Sequence, residues 1–523
     1  MAEFNRESVL IQRYISQLPM FMNVELLGWG DTGGSGGTDL LAELGQLYKE
    51  VLSTVKDEVL VLESVFPSAE LAVESLIQRV VEQRVALGLE ATLSSFHSRE
   101  DARGEVQRIQ EYLKLLTQMH QRTAGLVGRL EVVCRGEVAV QDRLQGLFAE
   151  YMKEYPVLEV RLLQQLYQQH AVAGQPLSLA AMAQVMEWNR EAVDRCVQLS
   201  PESARPRIVR LLFAGKADEL IPAGVVVADS VPGCLLDQAS RHLTEGLQQA
   251  CEACGSGCEK GSAALAVASA DTAAVSSAAT KAARQGLGQV LGAVSVGSEV
   301  VRNAQMYFLD VVQPRVGAVR NEETECKMGL AAFIKSMQAA LSRSLNVGLT
   351  AFFRQAEILL SSLQKKGDFL TPETGIMPES PTAACIALTA LLRSAVKEIP
   401  ASFSAANEQA FKLEMAERAH TALMTHLTRF TFSQTGALRL KRDVSEYTEA
   451  VEAMGCPQAT EALDAELKAM VSILIISPGS LLGVVDGSLR MSHREALRFV
   501  QLREDFKTAR VGNKTLAVLF ASE

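Results

Sequence analysis

Apolar residues return every three or four positions through most of this chain. In Leu71–Leu89 the apolar residues Val73, Leu76, Ile77, Val80 and Val81 keep that spacing, while Arg79, Glu82, Gln83 and Arg84 fill positions between them. A helix turns once in about 3.6 residues, so the pattern sets one apolar stripe against a core and a polar face outward. Phe66, Pro67 and Ser68 ahead of it predict a helix start. The same period predicts helices over Val106–Leu130, Val157–Gln169, Leu177–Leu199, Ala331–Leu363, Ala383–Val396, Glu408–Leu427, Val444–Ala453, Ala462–Ile476 and His493–Thr508. Strand-like alternation is rare, and Val225–Val227 is short and isolated. No fixed long repeat marks a solenoid array. The predicted fold class is all-α.

Four breaks punctuate the pattern. Gly28–Thr38 is glycine-rich, Ala171–Pro176 is short, Cys254–Ser262 is rich in Gly, Ser and Cys, and Gly367–Thr382 holds Pro372, Pro378 and Pro381. Each reads as a loop. The Ala/Ser-rich run Ser262–Ala283 is compatible with helix and with disorder. A chain of 523 residues is too long for a single core. The breaks divide it into four expected helical bundles: 1–155, 156–315 with the Cys/Ala-rich segment 251–283, 316–435 and 436–523.

Composition narrows the function. Hydrophobic residues make up 48%, and the net charge is -10 with a pI near 5.5. A uniformly acidic chain argues against a general nucleic-acid binder. The cysteines number nine, an odd count scattered along the chain, which suggests reduced thiols and a cytosolic setting. Met1–Leu10 carries charge and no apolar core of a secretory leader. The longest apolar run, Val471–Ser477, stops at Pro478, short of the ~18 residues that a membrane span needs. Membrane contact is therefore expected to be peripheral or through partners.

Candidate chemistry is sparse. Gly28-Trp29-Gly30-Asp31-Thr32-Gly33 matches the dinucleotide-binding spacing. That mechanism needs a preceding strand, a following helix and a second strand ending in an acid, and the chain after Asp39 reads as helix. Asp31-Thr32-Gly33 resembles an aspartic-protease turn, but that chemistry needs two such turns on β-lobes. Cys251, Cys254 and Cys258 have part of a zinc spacing, with Cys234 or His242 as a possible fourth ligand. Reduced thiols in a loop are the plainer reading. The seven histidines are spread out, and neither a nucleophile elbow nor a phosphate-binding loop occurs. No catalytic, metal or cofactor residues are assigned, and the chain reads as a non-enzyme.

Near the end, Arg490, Arg494 and Arg498 sit four apart and share one helix face. Such a stripe attracts anionic lipid headgroups or an acidic partner, although a solvated face is the commoner outcome.

The same region carries a series of longer words. Thr425-His426, Arg429-Phe430-Thr431-Phe432, Gly436-Ala437-Leu438-Arg439-Leu440-Lys441-Arg442-Asp443 and Phe499-Val500-Gln501-Leu502-Arg503-Glu504-Asp505-Phe506-Lys507 follow in order. Upstream are Arg13-Tyr14-Ile15-Ser16, Val65-Phe66-Pro67-Ser68, Leu76–Val85, Glu154-Tyr155-Pro156, Gln165–Gln168, Cys234–Gln238, Leu243–Leu247 and Pro381–Ile386. Together these words resemble the Sec-ten family of exocyst subunits in its plant and algal form, collinearly over nearly the whole chain.

The resemblance implies an elongated rod of helical bundles in a vesicle-tethering complex. It implies a role in docking post-Golgi secretory vesicles at the plasma membrane before SNARE-mediated fusion. It also implies cytoplasmic residence with recruitment to sites of exocytosis, other exocyst subunits as partners with Sec-fifteen the nearest, and small GTPases acting indirectly. Family members carry an N-terminal coiled-coil arm, which this sequence is expected to lack. Arg439, Lys441, Arg442, Arg503 and Lys507 are the expected partner-facing residues, against the alternative that they form ion pairs within the bundle with Asp443 or Glu446. The competing readings are a helical scaffold of another trafficking complex and a peripheral anionic-lipid binder.

Overall fold

The computed structural model describes residues 4–22, 38–97, 104–134, 140–170, 178–215, 234–267, 272–371, 380–489 and 492–507. The helices in chain order are α1 (Phe4–Ser16), α2 (Pro19–Met22), α3 (Thr38–Val65), α4 (Ala69–Arg79), α5 (Ala86–His97), α6 (Glu105–Val133), α7 (Val140–His170), α8 (Leu179–Leu199), α9 (Arg205–Ala214), α10 (Leu235–Val267), α11 (Thr272–Tyr307), α12 (Gln313–Val316), α13 (Arg320–Leu363), α14 (Ala383–Val396), α15 (Ala405–Leu427), α16 (Gly436–Glu452), α17 (Pro457–Ile475), α18 (Leu481–Val484) and α19 (His493–Val500). A π-helical stretch, Val80–Val85, joins α4 to α5, and another, Phe308–Val312, joins α11 to α12. Among the described residues there is no strand, only a parallel bridge between Phe432 and Arg503. The all-α expectation holds. Most of Gly28–Thr38, with both glycine motifs, lies outside the described residues, as do Ala171–Pro176, Val225–Val227, Pro372 and Pro378.

The chain divides into two units. One comprises residues 1–175, 180–240 and 303–333, and the other 176–179, 241–302 and 334–523.

In the first unit α3 shows how the period becomes a core. Leu40, Leu44, Leu47, Val51, Val55, Val59 and Leu62 follow at steps of three or four and all are buried. They pack α3 against α4 and α6, and α6 packs in turn on α7. Several polar groups inside this core are paired, as burial favours. The Tyr48 hydroxyl lies 2.6 Å from that of Thr123. The carboxylate of Glu159, fully buried, is gripped by Arg195 through Nη2 at 2.6 Å and Nε at 3.2 Å. Tyr307 donates to Asn189 at 2.8 Å, and Asn189 donates to the Leu212 carbonyl at 3.0 Å. Helix α7 starts earlier than the sequence suggests and runs through Pro156. The loss of one backbone N–H there is carried by a helix long enough to be held by its packed face.

In the second unit the expected Cys254–Ser262 loop is overturned, because those residues lie within α10. Glycine costs a helix about 1 kcal/mol against alanine. Here small residues let two helices approach closely. A Cβ on Gly261 would meet the Ala279 Cα at 3.4 Å, and one on Gly286 would meet the Cys254 Cα at 3.0 Å. Packing against α11 outweighs local propensity. The Ala/Ser run that follows enters α11 at Thr272. Cys254 and Cys258 are buried, one turn apart, inside the apolar core. His242 accepts from the Ser178 N–H at 3.5 Å. Among the described residues no three His, Cys, Asp or Glu side chains gather as a metal ion would require. Also among them, no helix is long and apolar enough to cross a membrane.

Candidate partner interface in the C-terminal segment

The C-terminal words lie where α14, α15, α16, α17 and α19 pack together. Their residues serve mostly as internal fastenings. Phe369 sits at the centre. Its ring lies 5.8 Å from that of Phe430 and 4.8 Å from that of Phe432. Its carbonyl accepts from the Ser433 N–H at 3.0 Å. Helix α16 starts hard against that carbonyl, since a Cβ on Gly436 would stand only 1.7 Å from the Phe369 oxygen. The glycine that opens the word is thus fixed by a close backbone approach.

Asp443, the last residue of the same word, is fully buried. It accepts from the Thr382 N–H at 2.8 Å and from the Thr382 hydroxyl at 2.7 Å. Thr382 in turn caps α14 by accepting from the Cys385 N–H at 3.2 Å. Two words sixty-one residues apart are therefore one hydrogen-bonded unit. Arg439 pairs with Asp368 at 2.9 Å, with little of either side chain exposed.

Arg503 was expected on the surface, and the structure corrects this: it is 4% exposed. Its Nη1 donates to the carbonyls of Ile473 at 2.7 Å and Ile476 at 2.6 Å. Its Nε and Nη2 grip Asp505 at 2.8 and 2.7 Å. The carbonyls at the end of α17 lack helical partners and carry the negative end of the helix dipole, so a buried guanidinium suits them. The adjoining backbone is clamped by Phe432 N–H to the Leu502 carbonyl and Glu504 N–H to the Phe432 carbonyl, both at 2.9 Å. This clamp belongs to a segment that has left the helix. The expected helix His493–Thr508 ends at Val500.

The remaining candidates face outward. Lys441 and Arg442 are exposed on α16, beside Leu438 on the same face, and Lys507 is exposed beyond α19. Arg494 and Arg498 are exposed one turn apart on α19, whose start is fixed by a capping box between Ser492 and Glu495. Arg490 lies outside the described residues. Of the acids nearby, Asp443 is held by Thr382, and Glu446 stands 3.9 Å from Arg393. A cleft of about 470 Å³, lined by Phe432, Gln434, Thr435, Arg503, Glu504 and Asp505 among others, opens beside the clamp. The hydroxyls of Thr371 and Thr435 bond each other at 2.7 Å. The sequence reading missed Asp368, Thr382 and Gly436 as the partners that give these words their meaning. The Pro381-Thr382 pair before an apolar run was the available signal for the cap.

Two buried titratable groups set an acid response. Burial, with Arg429 adding to it, holds His426 down at about 4, and its Nε2 has no hydrogen-bond partner among the described residues. Burial pushes Asp443 up to about 6 against the lowering effect of the Thr382 bonds. The His426 contribution to stability is present above its ordinary value of 6.5 and is lost as pH falls toward 4. The Asp443 contribution has the opposite sign, present below 3.8 and lost as pH rises through 6. Replacing His426 with leucine should therefore flatten the loss of stability between pH 6.5 and 4. Urea midpoints measured across that window check this.

Comparison with known proteins gives these fastenings a family. Residues 1–173 and 174–515 match the family model described as exocyst complex component Sec10-like, alpha-helical bundle. The chain is 28% identical to exocyst complex component 5 of Oryza sativa subsp. japonica, over 99% of its own length and 67% of that protein. It is 29% identical to exocyst complex component SEC10b of Arabidopsis thaliana, over 98% of its own length and 64% of that protein. A shorter match to human exocyst complex component 5, 27% identical, covers 42% of this chain and 34% of the relative. The chain thus spans about two thirds of the length of its plant relatives. With a helical bundle throughout the described residues and a family match spanning both of its segments, the chain belongs to the Sec10-like family of exocyst components.

Proposed function

We propose that this chain is a non-enzymatic subunit of the exocyst that helps hold post-Golgi secretory vesicles at the plasma membrane before SNARE-mediated fusion. It acts in the cytoplasm, is recruited to sites of exocytosis and binds other exocyst subunits, Sec-fifteen first among them. Small GTPases reach it through those neighbours, and its contact with membrane is peripheral. The observation that carries this reading is the family match from residue 1 to residue 515. Affinity capture from native cytosol tests it: recovery of other exocyst subunits is expected, and their absence would overturn the assignment.

The exposed bases Lys441, Arg442 and Lys507 are proposed as partner contacts, with Arg439 and Arg503 holding the helices that present them. Reversing both Lys441 and Arg442 to glutamate should weaken subunit capture at least tenfold while leaving helicity and melting unchanged. A lowered melting point would instead assign these residues to the bundle. A second reading rests on the exposure of Arg494 and Arg498, one turn apart on α19. Flotation with phosphatidylserine vesicles separates it, because a lipid contact must depend on the anionic headgroup. The division at 155/156, 315/316 and 435/436 is retained as a proposal about folding units, tested by whether fragments cut there fold alone.

A further inference from the structure

Proline follows serine or threonine at four places in the chain: Ser200-Pro201, Thr371-Pro372, Ser380-Pro381 and Ser477-Pro478. A hydroxyl before proline is the minimal pattern that proline-directed protein kinases read, because the ring keeps the backbone extended at the acceptor. The structure sorts the four. Ser200 is 3% exposed, and its Oγ receives the buried Cys196 thiol. The Thr371 hydroxyl is bonded to that of Thr435 at 2.7 Å. Ser380 is exposed, but Thr382 two residues on is fully buried and bonded to Asp443. Ser477 meets the requirements. It is exposed, as are Gly479 and Ser480 after it. Ile476 and Ser477 are both extended, with φ and ψ of -68° and 146° and of -63° and 145°. A Cβ built on Gly479 would meet no atom within 4 Å, so the turn is open on that side. The Ser477 hydroxyl lies 3.3 Å from the exposed Ser480 hydroxyl.

We propose that Ser477 is a phosphorylation site for a proline-directed protein kinase. Its Oγ attacks the γ-phosphorus of ATP, the bond to the β-phosphate oxygen breaks, ADP leaves, and the hydroxyl proton passes to the base of the kinase. The product carries a charge of about -2 at neutral pH. Its place decides the effect. Ser477 follows the end of α17 at Ile475 by two residues, so the added charge meets the negative end of the helix dipole. The Ile476 carbonyl beside it accepts from Arg503 Nη1 at 2.6 Å and from Gln434 Nε2 at 3.4 Å. Arg503, the cation that grips this turn, already serves the Ile473 carbonyl and Asp505. A phosphoserine competes with those acceptors for one guanidinium and adds repulsion toward Asp505. Phosphorylation of Ser477 therefore loosens the fastening between α17 and the Phe432 clamp. The site lies within the second unit and stands apart from the tethering role.

Incubation of the full chain with a mitogen-activated protein kinase and magnesium ATP tests both parts. Such a kinase needs only the proline, and Ser480, three positions after the acceptor, is not a base. A synthetic peptide of residues 466–490 controls for the sequence alone. Peptide mapping by mass spectrometry should place phosphate on Ser477 in the peptide and in the folded chain, and leave Ser200 unmodified. The phosphorylated chain should melt a few degrees below the untreated one and exchange amide hydrogens faster at the C-terminal turn of α17. The S477A variant, treated alike, should show neither change, which separates this site from phosphate elsewhere. Phosphate on the peptide but not on the folded chain would overturn the site, as would its absence from both. Phosphate on Ser477 with melting and exchange unchanged would overturn the coupling to Arg503.

Discussion

Replacing Gly436 with alanine is expected to destabilise the second unit by about 3 kcal/mol or more, among the largest effects for a one-methyl change in this chain. The added Cβ would have to occupy a point 1.7 Å from the Phe369 carbonyl oxygen. That neighbour is backbone and cannot rotate away. The carbonyl also receives the Ser433 N–H, so moving it breaks a bond at the start of α16. Alanine is ordinarily the better helix former, and a propensity argument alone predicts stabilisation. The sign of the measured change therefore decides between the two. Urea unfolding followed by circular dichroism, with hydrogen exchange to localise the loss to α14 and α16, provides the measurement.

Replacing Arg503 with alanine is expected to cost about 3–5 kcal/mol, the range for breaking one partner out of a buried charged network. The carbonyls of Ile473 and Ile476 would lose their charged donor at the end of α17 and Asp505 its counter-charge. Lysine should restore only part of this. One ammonium can reach a carbonyl but cannot also hold Asp505 through two parallel bonds. Hydrogen exchange should quicken at the C-terminal turn of α17 and along the Phe432 clamp. Lys507→Ala, a few residues away and exposed, should change stability by less than about 0.5 kcal/mol. Equal effects of the two variants would show that Arg503 does not fasten the bundle.

The two predictions expose a difference between recognising a word and understanding it. Arg439 and Arg503 belong to the C-terminal words, and arginine is usually exposed, so the sequence marks both as partner-facing. Their partners, Asp368 and the Ile473 and Ile476 carbonyls, are distant in sequence, and no local pattern announces them. Lys441 and Arg442 read correctly as exposed because the period of α16 alone turns them outward, away from Leu440 and Val444.

The sequence by itself determined the helical class, most helix positions and the family. Each follows from local periodicity or from the collinear order of words, and neither needs a contact to be known. Only the tertiary structure decided that Cys254–Ser262 is helix, that the chain leaves α19 at Val500, and which charged residues are fastenings. In each case a residue's environment is supplied by another helix. Gly261 gains more from approaching α11 than it loses in backbone freedom. The bonds of Glu504 to Phe432 and of Arg503 to α17 replace those that a longer α19 would have made.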